Sequence, residues 1–430
     1  MSFPGFNSWC VCCVCYKVIN RRNSLRTSMP CNDDYMNKRT SPALILTALW
    51  LMVFAASSQV MIIAPILPVI GRELHVPEAW LGTLISAYSI TLSFFALIAG
   101  PLSDRIGRRR MLLYGAGFLA LVLYFHALAQ SFSSLLVMRA LAGAAGGTLS
   151  GSAVAYIGDY FPYRKRGWAT GWVMSGIAFG QIVGIPLGTI LADTLGFRVP
   201  FLIFGVIMTL AFLLILCFVP QPRIHRSRDP FTLTELLRIY INLLHKVEIR
   251  AAIATYFLMF LSVGLFVSYF PKFLTDMAGF NGKEIAALFF IGGIANVIAG
   301  PQAGKFSDRW GRKPIILLSC IGSALTILAL PLVAQHTWSL YTVFFIAMIF
   351  VGMRISPLQA LLTALVPAQR RGTLLSFAIA AGQLGMGLGG SIAGWLYTRI
   401  GYLSNAALAA FFILLMAGII WRYLPEPATL

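Results

Sequence analysis

Twelve long apolar runs follow one another along this chain, parted by short polar breaks. They cover residues 43–67, 80–101, 111–130, 133–157, 168–191, 199–219, 251–271, 285–303, 313–333, 338–364, 373–397 and 402–423. A bilayer core of about 30 Å is crossed by roughly 20 residues of helix, and each run is about that long or longer. The runs are too long, and too irregular in their alternation, to be spanning strands. In lipid every backbone N–H and C=O needs a partner within the protein, so the runs read as helices.

Composition agrees. The chain is 58% hydrophobic and 11% charged, against about 25% charged residues in soluble domains. The net charge of +19 is then a matter of topology. Most of the 33 Lys and Arg fall in the tails and in the loops on one side. Only Arg72, Arg198, Lys272, Lys283 and Arg399 fall in loops on the other, and Arg139 and Arg354 lie inside runs. Such a bias places both termini in the cytoplasm. The same spread of bases over short loops argues against a nucleic-acid partner.

The chain also repeats itself. "GPLSDRIGRRR" from Gly100 returns as "GKFSDRWGRK" from Gly304. Gly100, Asp104, Arg105, Gly107 and Arg108 thus match Gly304, Asp308, Arg309, Gly311 and Arg312, 204 positions on. "RGWATG" at Arg166 returns as "RGTLLS" at Arg371, and Gly180 and Gly184 return as Gly385 and Gly389. An internal duplication of six helices accounts for this. The expected plan is a cytoplasmic tail at 1–42, a six-helix bundle at 43–219, a basic linker at 220–250, a second bundle at 251–424 and a tail at 425–430. Leu236, Leu237, Ile239, Tyr240 and Leu243 cluster at helical spacing, so the linker is expected to carry an amphipathic interfacial helix. The segment "SWCVCCVCYK" holds four cysteines with no matching second cluster, so neither metal binding nor disulfides are expected there. Met36 opens an ordinary basic lead into the first run, so residues 1–35 are read as a mis-called extension or tail.

Twelve spans in a 6+6 repeat, with the charged loop G-x-x-x-D-R-x-G-R-R between spans 2 and 3 and again between 8 and 9, resemble the major facilitator superfamily. The likeness covers about residues 41–424. It implies an all-α, multi-pass protein of the cell (inner) membrane, whose two bundles rock about a central site near the midplane. It also implies a cytoplasmic gate. The motif Asp, here Asp104, would face the start of span 11 near Gly372–Leu375. Asp104 and the motif Arg, Arg108, would share charge contacts with an acid at the end of span 4, Asp159. A carboxylate at a helix N-terminus is favourable by about 0.3–1 kcal/mol. Closure of that contact would favour the outward-open state. The residues alone also permit an i,i+4 pairing of Asp104 with Arg108, if the helix continues.

Two further stretches refine the likeness. "RALAGAAGG" from Arg139 resembles the family's fourth-helix motif, and Gly143 and Gly147 make a G-x-x-x-G face for close packing. "GWVMSGIAFGQIVGIPLGT" resembles the fifth-helix motif of the drug and sugar:proton antiporter branch. It places Gly171, Gly180, Gly184 and Gly188 at the family's spacing, but shifts the proline to Pro186 and has Thr189 for a glycine. Pro65 and Pro68 match the end of the first helix in exporters, or simply stop or kink it.

None of the 14 acids lies inside a run, although proton carriers usually hold a carboxylate or His at depth. Coupling is therefore left to Asp159, His126, the boundary acids or the substrate itself. A lone Arg at the bilayer centre costs about 2.5–3.5 kcal/mol on insertion scales. Arg354, near the middle of span 10, is expected either to face the cavity and contact an anionic substrate group or to bond helix carbonyls. Arg139 stands nearer the outer end of span 4. Further candidates for substrate contact are Gln59, Tyr88, Gln181, Tyr269, Asn296, Gln359 and Gln383, with Tyr88, Gln181 and Gln383 ranked first. Phe94, Phe95 and Phe179 line either an apolar pocket or lipid.

No phosphate-binding loop or catalytic motif is present in the sequence. The reading is thus a secondary transporter rather than an enzyme, a monomer without cofactor or bound metal, driven by a proton gradient and not by ATP. Proton-coupled efflux of a drug-like compound or metabolite leads. Uptake, exchange or facilitated diffusion of an organic anion or sugar is the alternative. Span 10 ends "LVPAQRRG", with no acid to match Asp159. Asp104→Asn is accordingly expected to impair transport more than Asp308→Asn. Flux at matched expression measures this, and equal losses would remove the asymmetry.

Overall fold

The computed structural model describes residues 41–222, 238, 240–241, 244–365 and 371–426. The expectations for residues 1–35, and for Leu236, Leu237, Ile239 and Leu243 of the linker, lie outside them. Among the described residues, twelve helical spans are long and apolar enough to cross a membrane. Spans 1 to 6 are Pro42–Met61, Glu78–Ala99, Arg108–Ala127, Phe132–Tyr160, Trp168–Leu195 and Arg198–Phe218. Spans 7 to 12 are Val247–Ala278, Gly282–Trp310, Arg312–Val333, Thr337–Leu362, Thr373–Arg399 and Tyr402–Tyr423. Each apolar run of the sequence corresponds to one of them. An even number of spans brings both ends to one side, here the termini side; the other is the far side.

Several spans are broken where the sequence departs from helical chemistry. Span 1 bends at Ile62 and runs on as Ile63–Leu74, ending at His75 in the left-handed region with φ 51. Pro65 and Pro68 therefore do not stop it. Pro65 stands in the first turn, where its missing N–H has no helical partner to lose, and Pro68 is carried inside the helix. Span 4 breaks at Gly151, φ 72, and resumes as Ser152–Tyr160. Span 5 contains a π-turn at Gly180–Gly184, followed by Ile185–Leu195 with Pro186 in its first turn. Span 7 breaks at Ser268–Tyr269 before the short helix Phe270–Ala278.

Glycines decide how closely the helices approach, as membrane packing demands. A Cβ on Gly143 would lie 2.2 Å from the Tyr88 carbonyl oxygen, and one on Gly147 2.6 Å from that of Leu92, so this G-x-x-x-G face seats span 4 on span 2. Gly180 and Gly184 meet Ser57 and Ser58 of span 1, and Gly188 meets Ile62. The duplicated pair Gly385 and Gly389 meets the Phe257 and Leu261 carbonyls of span 7. Span 5 on span 1 and span 11 on span 7 are one contact built twice. Gly171 of the fifth-helix motif meets nothing within 4 Å, so close packing is not its role.

The two bundles touch mainly along two helix pairs, span 2 with span 11 and span 5 with span 8, and also where Ile63–Leu74 packs on Phe270–Ala278. The first pair is knit by Ser86 donating to the Gly387 carbonyl and Ser93 donating to that of Ala380 at 2.7 Å. The second runs from the far side to the π-turn, where Gln181 lies against Gly293. Beyond it, among the described residues, Tyr163–Phe179 packs on span 1 and makes no comparable contact with span 8. Toward the termini side, Tyr240 of the linker donates to the Leu97 carbonyl at 3.1 Å and lies 4.8 Å from the Phe377 ring, bridging spans 2 and 11.

Gly385→Ala is expected to destabilise by about 1–3 kcal/mol through overpacking, since a backbone carbonyl cannot yield. Gly171→Ala should be neutral. Thermal unfolding of the two variants in detergent compares them directly.

Candidate functional site

The repeated loops build alike and pair differently. In each, a glycine in the left-handed region ends one helix and starts the next: Gly107 with φ 98 and Gly311 with φ 94. The helix of span 2 stops at Ile106, so the i,i+4 geometry considered for Asp104 and Arg108 does not form. Arg108 instead opens span 3 and donates to Asp159 at 2.6 Å and to Ser103 at 3.1 Å. The expected pairing of the motif Arg with the acid ending span 4 is thus present in the geometry. Gly100 and Asp104 lie on the helix Thr83–Ile106 and position 372 on Arg371–Arg399, but the side chain of Asp104 and the surroundings of position 372 are not described. In the second loop Arg312 donates to the Ala360 carbonyl at 3.1 Å. Gly304, Asp308 and Arg309 end the helix Gly282–Trp310, with Asp308 and Arg309 exposed.

Both loops carry a partner that sequence reading missed. Gln221 Oε1 accepts the Arg109 N–H at 3.2 Å. Glu426 accepts the N–H groups of Arg312 at 2.6 Å and Lys313 at 2.8 Å. Each side chain comes from just past the last helix of its own bundle and satisfies orphan donors at a helix start that has no cap of its own. The signal was available: "VPQP" at 219–222 and "LPEP" at 424–427 stand 205 positions apart.

Of the candidate substrate contacts, three converge. Arg139 Nη1 donates to Gln59 Oε1 at 2.9 Å, and Gln59 Nε2 donates to the Tyr88 hydroxyl at 3.3 Å. The guanidinium carbon lies 4.5 Å from the centre of the Tyr88 ring. Spans 1, 2 and 4 thus meet in one polar knot, in which each member is at most 3% exposed. An Arg held by an amide and a π-face, without a carboxylate, keeps its full charge buried. Nearby His126 is buried, with Nδ1 2.8 Å from the Val122 carbonyl oxygen and its ring 4.4 Å from that of Phe201.

The others stand apart. Arg354 is 2% exposed and turns to span 9, donating to Ser323 Oγ at 2.7 Å. Its described bond thus goes to a neighbouring hydroxyl, where the sequence left a cavity contact or helix carbonyls open. Tyr269 is fully buried at the far-side contact between the bundles and not at a central site. Its hydroxyl donates to the Glu78 carbonyl and accepts the Gly82 N–H at 2.9 Å. Asn296 Oδ1 lies against Gly352 of span 10. Gln359 bonds the Tyr256 hydroxyl. Gln181 and Gln383 are partly exposed, in the π-turn and on span 11. Phe179 packs on Trp50 and Phe54 of span 1, with centroids 5.3 and 5.5 Å apart.

Two six-helix bundles, duplicated in sequence and joined along paired helices, define a membrane transport protein. The chain belongs to the Major Facilitator Superfamily, whose family model matches residues 49–305 and 252–430. It is 30% identical over 310 residues to the multidrug resistance protein MdtG of Proteus mirabilis (strain HI4320), across 69% of this chain and 74% of that one. To the MdtG of Enterobacter lignolyticus (strain SCF1) it is 28% identical over 347 residues, across 77% and 80%. Its fold matches a crystal structure of a D-xylose-proton symporter with a TM-score of 0.75 at 18% identity, covering 90% of this chain and 99% of that one. It also matches an inward-facing, unoccupied bacterial homolog of the human lysosomal transporter Spinster, with a TM-score of 0.68 at 19% identity, covering 91% and 100%.

Arg139→Leu leaves the buried Gln59 carbonyl without its donor and should destabilise by about 1–3 kcal/mol. Arg354→Leu should leave the apparent affinity for a neutral drug-like compound unchanged. Unfolding temperature and KM together separate a structural from a substrate-binding role.

Proposed function

We propose that this protein exports a drug-like compound or metabolite across the cell inner membrane in exchange for protons, by alternating access. The observation that carries the reading is the contact pattern of the two bundles. They are joined on the far side, and spans 5 and 8 part toward the termini side. With the termini cytoplasmic, as the basic loops indicate, this is the state in which an exporter loads from the cytoplasm. The likeness to multidrug resistance proteins supports efflux, and the proton symporter of similar fold supports a proton as the driving ion. The chain needs no ATP for this, since a gradient supplies the work.

A second reading rests on a specific feature. Among the described residues the buried charged side chains include Arg139 and Arg354 but no Asp or Glu. An interior of that sign favours a neutral or anionic compound over a cation, so exchange of an organic anion is the alternative.

Flux into inverted proteoliposomes with an imposed pH gradient tests both. Export by proton antiport predicts accumulation of a drug-like compound that collapses when a protonophore dissipates the gradient. Flux that ignores the gradient, but is stimulated by an anion on the opposite side, would replace this reading with the second.

A further inference from the structure

We propose that Lys272 is a switchable latch on the far side, shared between one carboxylate of each bundle, and that protonation of Glu78 releases it. Lys272 Nζ lies 2.8 Å from Glu78 Oε1 and 2.8 Å from Asp276 Oδ1. Glu78 opens span 2 in the first bundle. Lys272 and Asp276 stand one turn apart on Phe270–Ala278 in the second. The other described ion pairs, Arg72–Asp193, Arg108–Asp159 and Arg198–Glu73, each stay within the first bundle.

The arrangement is graded toward water. The Lys272 side chain is 17% exposed, that of Asp276 36% and that of Glu78 44%. A far-side proton therefore reaches the carboxylates while the ammonium stays sheltered. Asp276 is held in its own bundle by the Tyr397 hydroxyl of span 11. The charged and titratable groups around Glu78 are then Lys272, Asp276 and Tyr269 from span 7 and Tyr397 from span 11. Arg72, Glu73 and His75 follow from the end of span 1, where Arg72 pairs with Asp193 and Glu73 with Arg198.

Separation of the bundles on the far side would ordinarily strand a half-buried ammonium, which is costly. Here Lys272 keeps Asp276 when Glu78 departs. A neutral Glu78 removes the attraction across the interface and leaves the attraction within the bundle. Protonation thus favours one of two discrete arrangements. The proton arrives from and returns to the far side, so the latch makes far-side opening sensitive to the pH there and is separate from the proton coupling proposed above.

The test is a distance. Nitroxides at Leu195 and Met277, both exposed at the far ends of spans 5 and 7, report bundle separation by pulsed electron resonance in the full chain in liposomes. Wild type should show a short distance at neutral pH and a longer one on acidification. Glu78→Gln should show the longer distance at neutral pH and lose the response. Asp276→Asn, which leaves Lys272 only Glu78, should move the midpoint of the response to lower pH. A control pair at Trp80 and Leu195 reports the fold of the first bundle. If Glu78→Gln disturbs it, Lys272→Met replaces that variant and should be open at both pH values. A wild-type distance indifferent to pH, a Glu78→Gln or Lys272→Met variant that still closes, or a shift of Asp276→Asn in the other direction overturns the proposal. Flux fails separately: distances that answer to pH while transport ignores a pH gradient would remove proton coupling and leave the latch.

Discussion

Helices in lipid gain little from burying apolar faces against each other, because the acyl chains are equally apolar. What holds this molecule together is therefore close approach of backbones, and glycine is what permits it. The span 2–span 4 contact at Gly143 and Gly147 comes first, because the polar knot depends on it. The Tyr88 hydroxyl would be 2.5 Å from a Cβ on Gly146, so the ring reaches Arg139 and Gln59 only over a glycine floor. The same device sets span 5 on span 1, span 11 on span 7, and one bundle on the other where Gly82 meets Gly390.

Much of this was legible in the amino-acid order. The count of spans follows from run length, and the duplication from residues spaced 204 or 205 apart. Arg108 finding Asp159 is what the resemblance carried by the loop motif implies. What was not legible is direction around a helix axis. Spans 9 and 10 are apolar on nearly every face, so nothing in the pattern said that Arg354 points to Ser323. Tyr269 could be placed near membrane depth but not on Glu78, which is far off in sequence. Gln221 and Glu426 escaped notice because one is neutral and one charged, although their shared Pro-x-Pro setting was there to find.

The two loops reveal how a duplication diverges without losing its balance. In the first, the acid sits at the end of span 4 as Asp159, and the helix start is capped by the neutral Gln221. In the second, among the described residues, the end of span 10 offers Arg312 the Ala360 carbonyl, and the cap is the charged Glu426. Each loop thus has a carboxylate, on an arginine side chain from the end of span 4 in the first and on backbone N–H groups from just past span 12 in the second. The first ties neighbouring spans side to side; the second ties the last residues of the chain to the start of span 9.

Tyr269 adds a last constraint. Its hydroxyl accepts the Gly82 N–H across the bundle interface, at the point where Glu78–Leu81 gives way to Thr83–Ile106. The first helical turns of span 2 therefore borrow their capping group from the other bundle. When the bundles part, that amide keeps only the Trp80 carbonyl within its own bundle. Far-side opening therefore has to break this bond as well as part the bundles, so a single backbone amide at the start of span 2 enters the free energy of the conformational cycle.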